Sequence, residues 1–305
     1  MESEPHQLTG TRRRKVFAVL PTLLTLGNAV CGFGAITILA RVGPTELSEP
    51  EEMQFFTDQM VFASQLIFLA MLFDVLDGGA ARLTNQTSEF GAQLDSLCDV
   101  ISFGVAPAFM MLKLTHPDHR LMNSVVNPPF HYPPRFLWPI ATLFVLCAAM
   151  RLARFNSETD EDDSHEGFSG LPSPAAAGVI AAMPIGVYGL KKILLEDSFR
   201  WATSIEQIVL PALAVVLPFI TLGTASLMVS RIQYPHVLNQ LIRGSRGRRQ
   251  IVQIVFVVVL VFAVHEVALP VLFCWFAFAA PARALWARYL KPVSPGRVGT
   301  GPAPN

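Results

Sequence analysis

The chain has 305 residues, of which 52% are hydrophobic and only 15% are charged, and its formal net charge is zero. Soluble proteins carry about 25% charged residues, so this composition, with a mean hydropathy of +0.44, excludes an ordinary soluble globular protein. Repeated apolar runs of about 20 residues predict an all-α polytopic membrane protein, because an apolar helix of that length crosses a bilayer with its backbone groups satisfied. No nucleic-acid partner is expected.

Eight transmembrane helices are predicted along the chain. They cover about residues 18–40, 57–83, 92–114, 136–156, 172–190, 208–230, 250–266 and 269–289. The predicted organisation is a basic N-terminus, a membrane domain, a basic loop with the last helix pair, and a disordered tail, at residues 1–15, 16–235, 236–290 and 291–305. His265 and Glu266 are predicted to lie in an exposed turn between the last two helices.

The first predicted helix contains Pro21, Thr25 and Asn28 at near-helical spacing. Spacing alone leaves two interpretations open. In the first, the helix is kinked and its hydroxyl groups bond back to the main chain. In the second, these side chains line a binding pocket.

Residues 74–99 place four aspartates, Asp74, Asp77, Asp95 and Asp99, in or beside apolar runs. Four unpaired carboxylates facing lipid would cost on the order of 10 kcal/mol on insertion scales. Only Arg82 lies within the stretch as a basic partner. The pattern therefore indicates that a cation compensates the acids, and hard oxygen ligands suit Mg²⁺ or Mn²⁺.

Residues three and four apart share a face of a helix, so the acids fall on two stripes. The stripes contain Asp74, Asp77, Gly78 and Ala81 on one helix, and Gly91, Asp95, Asp99 and Ser102 on the next. A short polar turn between the helices is expected to bring the two stripes face to face. The almost bare strip GGAA at residues 78–81 would let a ligand approach the backbone.

The spacing D-x2-D-G-x2-A-R-x8-G-x3-D-x3-D resembles the signature of the CDP-alcohol phosphatidyltransferases, which are integral membrane enzymes. It is matched at Asp74, Asp77, Gly78, Ala81, Arg82, Gly91, Asp95 and Asp99. The resemblance implies a six-helix core within residues 16–235, to which the last helix pair is added. It also implies two Mg²⁺ or Mn²⁺ ions held by the four aspartates, with Asp99 as general base.

The same resemblance assigns the CDP moiety to Gly78, Ala81 and Arg82, and it makes Gly91 a further candidate substrate-binding residue. Further segments resemble the serine-using branch of the family, namely PTLLTLGNAVCG, LDSLCDVISFGVAPA, RLARFN with FSGLPSPAAA, and LMVSRIQYP. Additional candidate binding residues in or beside these segments are Thr25, Asn28, Ser102, Arg151 and Arg154.

The implied reaction joins CDP-diacylglycerol and L-serine to give phosphatidylserine and CMP. Membrane lipids are expected neighbours, and a homodimer is left open.

Other interpretations remain open at this point. The same chemistry could use another acceptor, such as inositol phosphate or glycerol phosphate. The glycines and alanines could be helix-packing residues, and the acids could belong to a divalent-cation transporter. For Arg151 and Arg154, snorkelling to the interface competes with binding an anionic group.

The distribution of basic residues predicts the orientation. With the N-terminus inside and eight spans, all but seven of the 23 lysines and arginines fall on the cytoplasmic side. The seven are Arg41, Lys113, Arg120, Arg135, Lys191, Lys192 and Arg200. A multi-pass protein of the cell membrane is expected, with both termini and the active site cytoplasmic.

Overall fold

A computed structural model describes residues 8–42, 50–84, 89–115, 133–159, 170–196, 200–234 and 265–290. Its helices are α1 (Leu8–Arg41), α2 (Pro50–Thr84), α3 (Glu89–Asp99), α4 (Ala106–Thr115), α5 (Pro134–Thr159), α6 (Ser173–Glu196), α7 (Arg200–Val229) and α8 (His265–Leu290). A π-helical segment, Val100–Val105, joins α3 to α4. The predicted all-α fold is confirmed.

Six stretches of the described residues are long and apolar enough to cross a membrane. They are Pro21–Arg41, Gln54–Ala80, Glu89–Thr115, Arg135–Ser157, Ser173–Leu190 and Glu266–Ala284. A shorter apolar stretch, Val215–Val229, lies in α7. The predicted helix at about 250–266 lies almost wholly outside the described residues, as do the basic loop and the tail, so those parts stay predictions.

Helix boundaries differ from the predicted ones at several amino ends, among them those of α1 and α2. The helices begin at Leu8 and Pro50, where hydropathy predicted about 18 and 57. The physical reason is that an apolar run marks only the part of a helix that lies in hydrocarbon, whereas backbone hydrogen bonding continues through its polar flank.

The predicted third helix is a single membrane span interrupted immediately after Asp99. The π-helical turns of Val100–Val105 carry the buried residues Ser102, Phe103 and Gly104. Because π-helical turns hold more residues than α-helical turns, they change the direction of the side chains that follow. Ser102 nevertheless faces α1 together with Asp99, because both side chains hydrogen-bond to Asn28.

The core lies around α6, which packs against α2, α7 and α8, while α1 packs chiefly against α2. Of the α6 span 67% is buried, against 6% of the α8 span. The outer face of α8 exposes large apolar side chains such as Trp275 and Trp286. Such a face suits contact with lipid.

The prediction of an exposed turn at Glu266 is wrong. Glu266 lies in the first turn of α8, and its side chain is only 17% exposed. Its carboxylate lies 3.8 Å from the Lys192 ammonium group, and a Cβ added at Gly189 would overlap its side chain. The missing side chain at Gly189 lets the two helices approach, a tertiary effect that local sequence did not reveal.

Candidate active site

Four buried or half-buried aspartates meet between α2 and α3. Carboxylate oxygens of Asp74, Asp95 and Asp99 all lie within 4.8 Å of one another. Asp77 is 4% exposed and interacts electrostatically with the other three. The two predicted stripes therefore meet at their aspartates.

The chemistry of this cluster fits a divalent cation. Asp77 Oδ2 and Asp95 Oδ1 are buried and have no hydrogen-bond partner among the described residues. A buried carboxylate oxygen without a donor is costly unless a positive charge compensates it. Carboxylate oxygens are the ligands that Mg²⁺ and Mn²⁺ prefer. The cluster can thus hold a metal ion, with Asp74, Asp95 and Asp99 as the most closely grouped oxygens.

Asp99 is fixed in place by α1. The Asn28 side-chain amide donates to Asp99 Oδ1 at 2.9 Å, and the two side chains are 0% and 6% exposed. Behind Asn28, the Ser102 hydroxyl donates to the Asn28 backbone carbonyl at 2.9 Å. Asn28 Oδ1 has no hydrogen-bond partner within the described part of the chain. The contact between α1 and α3 therefore fixes one carboxylate oxygen of Asp99 and leaves the Asn28 amide oxygen beside it as a hydrogen-bond acceptor.

Close approach of α1 to the π-helical segment makes this arrangement possible. A Cβ added at Gly32 would lie 2.7 Å from the Ser102 Cα, a distance that real Cβ atoms do not tolerate. Ser102 is fully buried and supports Asn28 through its carbonyl. Its predicted contact with the acceptor alcohol stays a prediction.

Thr25 has features of both interpretations of the first helix, in which its hydroxyl either bonds back to the main chain or lines a pocket. Its hydroxyl donates to the Pro21 carbonyl at 3.0 Å, which is the back-bonded arrangement. The same hydroxyl lies within hydrogen-bonding reach of Asp77. Because the group has one proton, it donates to one of the two acceptors at a time.

The bare strip on α2 borders open space. A Cβ added at Gly78 or Gly79 would meet no described heavy atom within 4 Å. Gly91 is half-buried on α3. Ala81 and Arg82 belong to α2, but their side chains lie outside the described residues. The strip thus leaves room for a ligand beside Asp77.

Arg151 reaches the cluster from α5. It interacts electrostatically with Asp74 and Asp99, and its Nη1 donates to the Ser173 hydroxyl at 3.0 Å. Its Nε is buried with no hydrogen-bond partner among the residues described. Arg154, one turn later, is half-buried. Arg151 therefore places a positive charge that acts on two of the four acids.

Ser173 and Asn156 were missed by the sequence reasoning. A serine in the first turn of a helix is usually interpreted as a capping residue, so its side chain was not expected to hold an arginine. Asn156 donates to the Ser96 hydroxyl at 2.9 Å and ties α5 to α3. The RLARFN segment did contain Asn156, but its partner lies 60 residues away.

The fold and the site together define a polytopic helical membrane protein with a buried carboxylate cluster suited to a divalent cation. Comparison with known proteins identifies the family of the chain. The sequence pattern of the CDP-alcohol phosphatidyltransferase family matches residues 18–220, and the chain belongs to this family.

Curated relatives carry related names. The chain is 34% identical over 178 residues to a CDP-diacylglycerol–serine O-phosphatidyltransferase of Helicobacter pylori, covering 58% of this chain and 62% of that protein. It is 33% identical over 223 residues to an archaetidylserine synthase of Methanothermobacter thermautotrophicus, covering 72% and 71%. It is 32% identical over 206 residues to a CDP-diacylglycerol–serine O-phosphatidyltransferase of Saccharomyces cerevisiae, covering 66% and 64%.

Proposed function

We propose that the chain transfers a phosphatidyl group from CDP-diacylglycerol to the hydroxyl of L-serine, forming phosphatidylserine and releasing CMP. Membership of the CDP-alcohol phosphatidyltransferase family supports the reaction class, and the serine-transferring relatives support the acceptor. The observation that carries the proposal is the position of Asp99. Its carboxylate lies in the acidic cluster and accepts a hydrogen bond from Asn28.

Asp99 serves as the general base. In the reaction, the serine oxygen forms a bond to the phosphorus of the phosphatidyl group, and the bond from that phosphorus to the CMP oxygen breaks. The hydroxyl proton passes to the Asp99 carboxylate, and CMP leaves with the additional negative charge. The Asn28 amide, by holding Oδ1, directs the remaining lone pairs of Asp99 toward the cluster.

The four aspartates hold two Mg²⁺ or Mn²⁺ ions in this proposal. The unpartnered oxygens of Asp77 and Asp95 support their assignment as ligands. A divalent cation held by these carboxylates would neutralise the pyrophosphate and stabilise the leaving nucleotide. Asp74, Asp77 and Asp95 are then chiefly ligands, while Asp99 combines ligation with proton transfer.

The CDP moiety lies along the bare strip in this proposal, against Gly78, Ala81, Arg82 and Gly91. No described heavy atom lies within 4 Å of a Cβ added at Gly78, which supports this placement. Arg82 supplies paired donors to a phosphate, for which a guanidinium group is well shaped.

The anionic parts of the substrates are assigned to the two arginines. The buried Nε of Arg151 lacks a hydrogen-bond partner in the described part of the chain and therefore offers a donor to a carboxylate or phosphate. Arg154 lies one turn farther along α5. Thr25, Asn28 and Ser102 complete the proposed pocket on the α1 side.

The proposed setting is the cell membrane, with both termini and the site facing the cytoplasm and membrane lipids around the helices. The excess of lysine and arginine on that side under the predicted topology supports the orientation. A cytoplasmic opening lets a polar acceptor reach the acids without crossing the bilayer.

The decisive experiment measures CMP release from CDP-diacylglycerol by the purified chain, with Mg²⁺ or Mn²⁺, in the presence and absence of L-serine. Release that depends on serine, with phosphatidylserine as the lipid product, is the expected result. Inositol phosphate and glycerol phosphate serve as alternative acceptors, and an archaeal-type lipid donor serves as an alternative donor. A preference for any of these would reassign the substrate. Metal uptake into vesicles without CMP release would favour the transporter.

A further inference from the structure

The loop before α6 is hydrogen-bonded to the last turn of α7 and to the segment that follows it. Gly170 N–H donates to the Ile232 carbonyl at 2.9 Å, and Leu171 N–H donates to the Leu227 carbonyl at 3.0 Å. These bonds join two parts of the chain that lie about 60 residues apart in sequence, a spacing that local propensity cannot specify. The positions of the two segments are therefore coupled.

Gly170 is required for this junction. Its φ of +92° is in the region that favours glycine. A Cβ there would also overlap the Met228 carbonyl oxygen and lie 3.1 Å from the Ser230 carbonyl oxygen. Backbone atoms cannot rotate away as a flexible side chain can. The loop before α6 thus lies directly against the chain that leaves α7.

Tyr234 ties the same segment to the C-terminal helix. It is 3% exposed, and its hydroxyl donates to the Ala277 carbonyl in α8 at 2.9 Å. Ala277 lies four residues before Pro281, which has no N–H to complete the helical hydrogen bond. The phenol therefore supplies the donor that proline removes. A phenol is already protonated at neutral pH, and burial raises the pKa of Tyr234 further, to about 12, so the hydroxyl stays a donor.

The residues that follow Gly170 link the same junction to the acidic cluster. Ser173 lies three residues after Gly170 and is fully buried. Its hydroxyl accepts the hydrogen bond from Arg151 Nη1, and Arg151 acts electrostatically on Asp74 and Asp99. A displacement of the loop at Gly170 moves the partner that orients the guanidinium group.

We propose that Tyr234 is a positioning residue for the site: by anchoring the segment after α7 to the C-terminal helix, it sets the loop at Gly170 and, through Ser173, the orientation of Arg151 at the carboxylates. The C-terminal helix, which lies beyond the family match at residues 18–220, then contributes to the reaction without touching substrate. The kinetic part of this proposal rests on the proposed function.

The test is a double-mutant cycle between Tyr234→Phe and Ser173→Ala in the full chain, measured as kcat/KM for serine-dependent CMP release. Each single change is expected to lower kcat/KM by roughly 2- to 30-fold, the range for residues that act through a network. The double variant should be no slower than Ser173→Ala alone, because the path through Ser173 is already broken. Tyr188→Phe, on the exposed side of α6, is the matched control and should behave as wild type.

A second readout does not depend on turnover. Mn²⁺ binding to each variant is measured by electron paramagnetic resonance in detergent, without lipid substrate, beside Arg151→Gln. Removing a positive charge near Asp74 and Asp99 should tighten Mn²⁺ binding, and Tyr234→Phe should shift the affinity in the same direction by a smaller factor. If Tyr234→Phe expresses poorly, Gly170→Ala breaks the same connection at its other end.

Additive losses in the cycle, wild-type kinetics of Tyr234→Phe, or a Mn²⁺ affinity unchanged from wild type would each overturn the positioning role. These outcomes are separate from failure of the proposed function. If the wild-type chain ignores serine, the acceptor assignment fails, while parallel shifts in Mn²⁺ affinity would still support the connection from Tyr234 to Arg151.

Discussion

Replacing Asp99 and Asp95 separately by asparagine tests the division of labour among the acids. One oxygen of Asp99 is taken by the Asn28 amide at 2.9 Å, whereas Asp95 Oδ1 has no donor among the described residues. Asp99 therefore has less capacity to hold a cation than Asp95 has. Asp99→Asn keeps an acceptor for Asn28 and a similar volume, so the local packing should persist.

The expected loss for Asp99→Asn is that of a general base, about 10²–10⁴-fold in rate, which corresponds to about 3–5 kcal/mol of transition-state stabilisation. Binding of CDP-diacylglycerol should stay near wild type. Asp95→Asn should lose both turnover and binding, because the metal-dependent interaction with the pyrophosphate is weakened.

The assay measures serine incorporation and nucleotide-lipid binding in detergent with metal present, for each variant in parallel. Asp58→Asn is the matched control, since Asp58 is exposed on α2 and lies about 24 Å along the helix from Asp74 at about 1.5 Å per residue. It should leave both quantities unchanged. Equal loss of binding in Asp99→Asn and Asp95→Asn would refute the reasoning, and Asp99 would then act as a metal ligand only, with the base unidentified.

Three other substitutions test separate parts of the site. Asp74→Asn should reduce activity to near background while membrane insertion persists, since neutralising a buried acid eases insertion; more than about a tenth of wild-type turnover at saturating Mn²⁺ would contradict ligation there. Ala81→Leu should raise the KM for CDP-diacylglycerol by obstructing the strip, and wild-type kinetics would instead identify the strip as helix packing. Gly32→Ala, whose Cβ would lie 2.7 Å from the Ser102 Cα, should cost about 1–3 kcal/mol of stability and lower the thermal midpoint in detergent. Gly34→Ala, which meets only a flexible Leu66 methyl at 3.3 Å, is its control, and equal midpoints for the two variants would contradict the close contact.

The class of the protein and its acidic motif were predictable because both depend on short-range features of sequence. Apolar runs of about 20 residues indicate membrane helices wherever they occur. The spacing of Asp74 and Asp77, and of Asp95 and Asp99, places each pair on one helical face through the 3.6-residue period. A polar turn between the two helices then makes antiparallel contact the expected arrangement, and carboxylates of Asp74, Asp95 and Asp99 do meet.

Only the tertiary structure decided which donors surround those acids. Asn28 and Asp99 are 71 residues apart, Arg151 and Ser173 are on different helices, and the Tyr234 hydroxyl finds Ala277 43 residues later. Each contact depends on how the helices rotate and how closely they approach, which the glycines at the interfaces and the π-helical turn after Asp99 determine. Helical periodicity specifies a face but not its partner, so the sequence identified the acids, Asn28 and Arg151 as candidates but not the contacts among them.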